Sequence, residues 1–197
     1  MGARQYVALV RGINVGGRNK VAMPALRAAF EDRGYGSVRT YIQSGNVLFS
    51  SDATSKSLER DIEHLLEGRF GLPLVVVVRS HDQLRNVVDR APKGFGAAPD
   101  KFHYDAVFLK APLTGEKVMR IVELREGVDQ AWPGDSVLYF TRLSAALARS
   151  RMSRIVSAPE YQQMTIRSWS TTTKLLGLLD ENRDVHRTTR PKRGSQR

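Results

Sequence analysis

The segment RGINVGGRNK, residues 11–20, combines three glycines with three cations and raises the question of phosphate binding. A Walker A loop needs G-x-x-x-x-G-K followed by Ser or Thr, whose hydroxyl binds Mg²⁺. From Gly12 this chain gives G-x-x-x-x-G-R-N, in which Arg18 replaces the lysine and Asn19 supplies no hydroxyl. Pro24 also places the start of the next helix several residues after the glycines. We therefore expect the glycines to supply positive φ or close packing in a wide loop, with anion binding as the alternative.

A second group of cations lies in a run between Asp135 and Glu160 that contains no acidic residue. Guanidinium groups bind phosphate well, although such a run is also typical of a solvated face. Further along, Lys174 falls in the first turn of a predicted helix, where the dipole disfavours a cation unless a negative partner is present. The secondary candidates for anion binding are Arg142, Arg149, Arg151, Arg154, Arg167 and Lys174.

The composition excludes several kinds of catalytic and metal site. The chain has no cysteine, which removes disulfides, thiolate nucleophiles, iron–sulfur clusters and cysteine zinc sites. The four histidines lie far apart without metal-binding spacing, and neither paired carboxylates nor a Ser/His/Asp arrangement stands out. The sequence therefore predicts no metal and no cofactor, identifies no catalytic residue, and leaves open whether the protein is an enzyme.

The charge and hydropathy of the chain limit the classes of protein to which it can belong. At 197 residues with 41% hydrophobic content it can bury a core, and no stretch approaches the roughly 20 apolar residues of a membrane span. We expect a cytoplasmic protein, with a monomer favoured and no membrane partner. The net charge of +11 is uneven, because residues 1–50 carry seven Lys/Arg against two acids and residues 183–197 carry six against one. The segment 183–197 is predicted to be a disordered basic tail, with either a non-specific attraction to polyanions or no role.

The elements that must position these residues follow from the hydrophobic pattern of the first half, residues 1–91. QYVALVRGI predicts a strand and MPALRAAFEDRGYG a helix, followed by the strands SVRTYIQ and NVLFSS. The segment Ser55–Gly71 has helical spacing and Gly71 ends it before the strand LPLVVVVRS. The order βαββαβ is that of a ferredoxin-like α/β plait. A helix around Asp82–Arg90 follows.

Residues 92–100, rich in Pro, Gly and Ala, are predicted to be a linker, and the same order begins again in residues 101–182. The strand FHYDAVFLK, a helix over Thr114–Glu126, two strands around WPGD and the extended run MTIRS precede a last helix from about Ser170 to Glu181. The apolar run Val75–Val78 alternates onto both faces of its sheet, which indicates that the other half covers the face without helices. We predict an α+β protein in which two ferredoxin-like halves pack together, with antiparallel sheets and helices on one face.

The phrases YVALVRGINVGGRNKVAM, VRTYIQSGNVLF and TIRSWSTTTKLL together resemble the bacterial family called domain of unknown function 1697. The resemblance extends from Tyr6 to about Leu179, and it implies a pair of ferredoxin-like halves without an established activity. The family usually has Arg-Asn-Trp-Asn-Thr where this chain has Ser168 and Ser170 in place of the asparagines. A ligand contact made by those asparagines in relatives would therefore not carry over to this chain.

Strand order suggests where a site would lie. In a plait of order 4-1-3-2, the end of the first strand, the start of the first helix and the turn between strands two and three share one edge of the sheet. The alternative is that Ser44-Gly45-Asn46 makes a tight hairpin and that the asparagine side chains satisfy loop backbone groups. The primary candidates for an anion site at this edge are Arg11, Asn14, Arg18, Lys20, Ser44 and Asn46.

Two functions of different classes remain at this point. The first is binding of an anionic ligand or nucleic acid at the polar edge, and the second is an enzyme acting on a small anionic metabolite in the cleft between the halves. The aromatic pattern by which plaits stack RNA bases is missing from the first half, because NVLFSS has one Phe and LPLVVVV has none.

Overall fold

The computed structural model describes residues 3–17 and 19–188. It confirms an α+β protein with two four-stranded antiparallel sheets. The strands are β1 (Arg4–Val10), β2 (Gly36–Tyr41), β3 (Asn46–Ser51), β4 (Val76–Ser80), β5 (Phe102–Leu109), β6 (Asp129–Pro133), β7 (Val137–Leu143) and β8 (Met164–Ser168). The α-helices are α1 (Met23–Asp32), α2 (Ser55–Phe70), α3 (His81–Asp89), α4 (Gly115–Met119), α5 (Met152–Ser157) and α6 (Trp169–Thr188).

Local sequence signals set the helix ends of the first half. The hydroxyl of Thr54 accepts a hydrogen bond from the Ser57 amide at the start of α2, and Gly71 ends that helix in the left-handed conformation with φ 65°. Ser80 and Gln83 form a reciprocal capping box at the start of α3. These capping residues fix where each helix meets the sheet.

Both halves have the strand order predicted for a plait. The first sheet runs β2-β3-β1-β4 and the second β6-β7-β5-β8, so the first strand of each half is central. The predicted helix Thr114–Glu126 is wrong in length, because α4 ends at Met119. The reason lies at Asp129, whose carboxylate accepts hydrogen bonds from the Arg125 and Arg151 amides and so holds the chain in turns before β6. Between β7 and β8, where the sequence predicted no helix, the chain forms α5 between two short 3₁₀ helices, Ser144–Arg149 and Pro159–Gln163.

Three apolar clusters form the core. Val76 and Val78 pack with α1 and α2 on one face of the first sheet, whereas Val77 lies in a cluster shared with the second half, including Phe108 and Leu175. The prediction that the other half covers this face is thus confirmed. A third cluster joins the far face of the second sheet to α4 and α5. The helices α1 and α2 share one face of the first sheet, and α4 and α5 share one face of the second, as predicted. The helices α3 and α6 lie in the layer between the two sheets.

The ends of the predicted second half differ in detail from the expectation. The helix α6 continues to Thr188, past the predicted end at Glu181, so the first part of the predicted tail is helical, and residues 189–197 lie outside the described residues. Residues 92–100 form turns that place Phe95 against the aromatic rings of the second half. Within the described ranges, no helix has the length and apolar character needed to cross a bilayer.

Candidate functional site

The loop of residues 11–20 is held in shape by its own backbone. Gly12, Gly16 and Gly17 adopt φ values of 74°, 57° and 76°, which confirms the predicted role of these glycines. The Asn14 amide donates to the carbonyl of Asn19 at 3.2 Å, and the Asn19 side chain donates to the carbonyl of Gly12 at 3.1 Å. The loop is therefore closed on itself by hydrogen bonds.

The side chain of Asn14 fastens this loop to the start of α1 and to the β2–β3 hairpin. Its Oδ1 accepts from the Val21 amide at 2.9 Å, and its Nδ2 donates to the carbonyls of Val21 at 2.9 Å and Gln43 at 3.2 Å. The strand-order prediction that the loop and the hairpin are neighbours is correct. The Asn14 amide group satisfies backbone groups, which was the structural alternative to ligand binding.

Asn46 and Ser44 stabilise the hairpin in a similar way. Asn46 is fully buried, and its Nδ2 donates to the carbonyl of Tyr41 at 3.2 Å and to the hydroxyl of Ser44 at 2.9 Å. Its Oδ1 accepts a 2.6 Å hydrogen bond from Nε of Arg167, a residue of β8 in the other half. The hairpin is therefore a contact point between the halves.

Arg167 is the centre of this contact. Its guanidinium donates to the carbonyls of Val10 at 2.8 Å and Ser44 at 3.0 Å, and also to the hydroxyl of Thr165 at 2.9 Å. Burial lowers the pKa of Arg167 to about 10, so the group stays charged at neutral pH. Because its donors point at protein acceptors, it joins the two halves and has little capacity left for a ligand.

Arg11 also crosses between the halves. Its guanidinium donates to the carbonyl of Tyr161 and to Oε1 of Gln162, the latter at 3.0 Å, and it lies 4.8 Å from the centre of the Tyr161 ring. Arg18 lies outside the described residues. Of the primary candidates, this leaves Lys20, which is exposed and forms no ion pair with the described part of the chain.

A cavity of about 700 Å³ lies where the loop, the hairpin and the start of α1 meet. Its wall residues are Asn14, Gly17, Lys20, Val21, Ala22, Met23, Pro24 and Gln43. Gly17 and Pro24 both line this cavity, although the helix starts several residues after the glycines, as the sequence indicated. Ala22, at the N-cap of α1, offers no side-chain hydrogen bond to the first amides of the helix.

A family described as "Protein of unknown function (DUF1697)" matches residues 3–139, more than half of the chain. The chain belongs to this family. The conserved bacterial protein SP0830 from Streptococcus pneumoniae has a similar solved structure, with a TM-score of 0.77 and 24% sequence identity over 90% of this chain and 99% of that one. At that identity the likeness shows the fold alone. No curated protein matches this chain.

The secondary candidates in this DUF1697 protein are mostly paired with acids. Arg151 and Arg154 both contact the carboxylate of Glu123, and Arg142 donates to Asp105 at 2.7 Å. These three were predicted from a run without acids, and their partners come from other elements. Arg149 and Lys174 are exposed, and no ion pair to either is found in the described ranges.

The helix α6 starts one residue before the predicted position at about Ser170. The helix begins at Trp169, and the hydroxyl of Ser168 accepts a 3.2 Å hydrogen bond from the Thr171 amide, so Ser168 caps the helix. Lys174 consequently lies in the second turn of α6, where the helix dipole acts less strongly on its charge. The ring of Trp169 packs between the halves, with its centre 4.9 Å from that of Phe95.

Two further charged groups lie at the junction of the halves in this DUF1697 protein and were not predicted from the sequence. Arg79 is buried and donates to the carbonyls of Leu109 and Ser136 in the other half, and burial lowers its pKa to about 10. Glu59 lies 3.6 Å from it and accepts from the Val78 amide; burial raises the pKa of this carboxyl. The only sequence signal was a single arginine inside an apolar strand.

The junction also has a polar cleft of about 450 Å³ between α2 and the end of β5. Two of its wall residues, Glu63 and Lys110, pair with each other, and Glu63 also accepts a 3.0 Å hydrogen bond from the Val76 amide. Among the described residues, no cluster of His, Asp and Glu could hold a metal ion. The enzyme predicted for a cleft between the halves stays a prediction.

Proposed function

We propose that this protein binds a small anionic ligand in the 700 Å³ cavity beside the start of α1. The observation that carries the proposal is Lys20, which lines the cavity and forms no ion pair with the described residues. Most arginines of the predicted sites donate to carboxylates or carbonyls of the protein. Lys20 is therefore the cation at this edge that is best able to bind an anion.

The surroundings of Lys20 favour negative charge. The start of α1 lies at the cavity wall without a side-chain cap, and helix N-termini attract anions through backbone amides and through the helix dipole. Of the two α1 residues in the wall, Met23 has an amide N–H and Pro24 has none. Gln43, also in the wall and exposed, adds an amide that can donate to an oxyanion. The first fifty residues hold seven cations against two acids, which draws anions toward this half.

A small ligand is favoured over RNA at this half. A plait binds RNA bases on an open sheet face, but Val76 and Val77, which point to opposite faces of the first sheet, are both fully buried. The cavity volume lies within the range of small-molecule sites, roughly 300–1,000 Å³. The proposed ligand is therefore a compact molecule with a phosphate or carboxylate group.

The test compares Lys20→Ala with Lys56→Ala, a change at an exposed lysine outside the cavity. Both are made in a chain ending at residue 188, so that the basic residues beyond it do not add non-specific binding. Inorganic phosphate, a panel of phosphorylated and carboxylated metabolites and a single-stranded oligonucleotide are titrated by calorimetry.

A charge-assisted hydrogen bond is worth about 1.5–3 kcal/mol, so Lys20→Ala should weaken the ligand at least about tenfold. Lys56→Ala should leave the dissociation constant within about twofold, because surface charges outside a site act only through screened fields. Equal binding by the wild type and Lys20→Ala would refute the assignment of this cavity.

A further inference from the structure

A second, smaller cavity lies on the sheet of the other half and is walled by aromatic rings. Its volume is about 150 Å³, close to that of a cavity that accepts one benzene ring. We call it the aromatic cavity, because its wall contains the rings of Phe95, Phe102, Tyr104 and Trp132. Lys93, Gln130 and Thr141 supply polar groups at its margin.

The sheet places these rings together through strand alternation. Phe102 and Tyr104 are two residues apart on β5 and point to the same face. Tyr104 pairs with Thr141 of β7, which pairs in turn with Gln130 of β6, two residues before Trp132. The turns of residues 92–100 then lay Phe95 across this end of the sheet, with its ring centre 5.0 Å from that of Tyr104 and 6.1 Å from that of Trp132.

This end of the face stays open because the middle helices cover only the rest of it. The same face continues into Ala106 and Phe108, which are fully buried in the cluster that contains α3 and α6. The four rings of the aromatic cavity are each only partly buried. The contacts of Phe95 with Tyr104 and Trp132 are edge-to-face, at 72° and 89°, so these rings do not stack flat on one another.

We infer that the aromatic cavity binds the base of a free nucleotide. A planar heteroaromatic ring gains stacking energy against aromatic side chains, and the volume admits one such ring. The Gln130 amide can both donate to and accept from a base edge, and the Thr141 hydroxyl can do the same. The combination of rings and polar groups favours a base over a purely apolar guest.

The charges beside the aromatic cavity favour an anionic ligand over a cationic one. Cages of aromatic rings also bind methylated ammonium groups, but Lys93 lines this cavity and Nζ of Lys101 lies 5.4 Å from the centre of the Phe102 ring. These two ammonium groups repel a cation and attract a phosphate. A neutral ring that carries a phosphate can stack against the aromatic side chains and place its negative charge near the two lysines.

The volume and the covered face favour a single nucleotide over a nucleic-acid strand. A strand needs a series of stacking positions, whereas the face beyond Tyr104 is buried beneath the middle helices. The inference is independent of the cavity at Lys20, which belongs to the other sheet.

The experiment is calorimetric titration of the full chain with adenosine and uridine monophosphates, ribose 5-phosphate, tetramethylammonium and a ten-nucleotide oligouridine. Five variants are compared: Trp132→Leu and Tyr104→Leu remove rings, Lys93→Ala removes a cation, Lys20→Ala changes the proposed anion site, and Lys56→Ala is the matched control. Lys93 and Lys56 are both exposed, so neither variant should disturb folding. Circular dichroism and thermal unfolding check the two ring variants.

We expect a mononucleotide to bind, with roughly tenfold or greater weakening in Trp132→Leu and a smaller loss in Lys93→Ala. Lys56→Ala and Lys20→Ala should leave this binding unchanged, which separates it from the anion site. Equal affinity for ribose 5-phosphate and the nucleotide would overturn the inference, because the rings would then contribute nothing. Binding of tetramethylammonium alone, or oligouridine binding about a hundredfold tighter than its mononucleotide, would also overturn it. Should both ring variants misfold, unchanged nucleotide affinity in Lys93→Ala would count against the site.

Discussion

Replacing Arg167 by methionine tests how the two halves are held together. The substitution removes the guanidinium and keeps an apolar side chain of similar length. In the wild type, this group donates to Oδ1 of Asn46 at 2.6 Å and to the carbonyl of Val10 at 2.8 Å. Both acceptor residues are at most 1% exposed, so water cannot replace the lost donors without opening the junction.

The expected loss follows from those two acceptors. Each buried acceptor left without a donor costs about 1–3 kcal/mol, so the free energy of unfolding should fall by about 2–6 kcal/mol. That is a large part of the total of about 5–15 kcal/mol typical of a folded domain. Arg167→Lys should lose less, because its ammonium keeps the charge but cannot reach acceptors on several sides as the planar fork does.

Urea unfolding at pH 7, followed by circular dichroism and tryptophan fluorescence, measures these losses. At this pH the wild-type guanidinium is charged, since burial lowers its pKa only to about 10. Arg149→Met is the matched control, because Arg149 is exposed and should change stability by no more than about 0.5 kcal/mol. If Arg167→Met lost less than about 1 kcal/mol, the hydrogen bonds to the hairpin would not be what joins the halves.

Two more substitutions probe the same junction. Gly45→Ala should destabilise the protein by about 2 kcal/mol or more, because Gly45 has φ 73° and an added Cβ would lie 2.8 Å from the Val10 carbonyl. Gly34→Ala, at φ 91° with nothing within 4 Å, carries only the backbone strain, so equal losses in urea unfolding would contradict the crowding argument. Burial raises the pKa of Glu59, so as pH rises above the ordinary value of 4.5 the unfolded chain loses this proton first and the wild type loses stability. Glu59→Gln removes this effect, and a difference in unfolding free energy between the two proteins that stayed constant from pH 4 to 6.5 would refute it.

The sequence predicted the fold well because the fold depends on local patterns. The alternation of Val75–Val78 indicated a strand buried on both faces, and the structure divides Val76 and Val77 between two clusters. The stop at Gly71 was correct for the same reason, since a left-handed residue ends a helix whatever surrounds it. The length of α4 could not be predicted, because the Asp129 carboxylate that holds the following turns also binds the Arg151 amide, from a different part of the chain.

The candidate site was predicted only in its location. Strand order brought the loop of residues 11–20 next to the hairpin, as the hydrogen bond from Asn14 to Gln43 shows. Which side chains remain available there could not be read from residue types, since Arg11 and Lys20 look alike as cations. Arg11 donates to Tyr161, about 150 positions away in sequence, and Lys20 does not.

By itself, then, the sequence determined the strands, most of the helices, their repeated order and the edge at which polar loops meet. These depend on hydrophobic period and on caps, which act over a few residues. Only the tertiary structure decided which cations bind protein and which face solvent, and where the rings of Phe95 and Trp132 enclose a cavity with those of β5. A guanidinium is satisfied by whichever carbonyls the packed halves bring to it, and Arg167 meets Asn46 across 121 positions of chain. Packing determines which residues this far apart in sequence form hydrogen bonds, so the local sequence does not predict them.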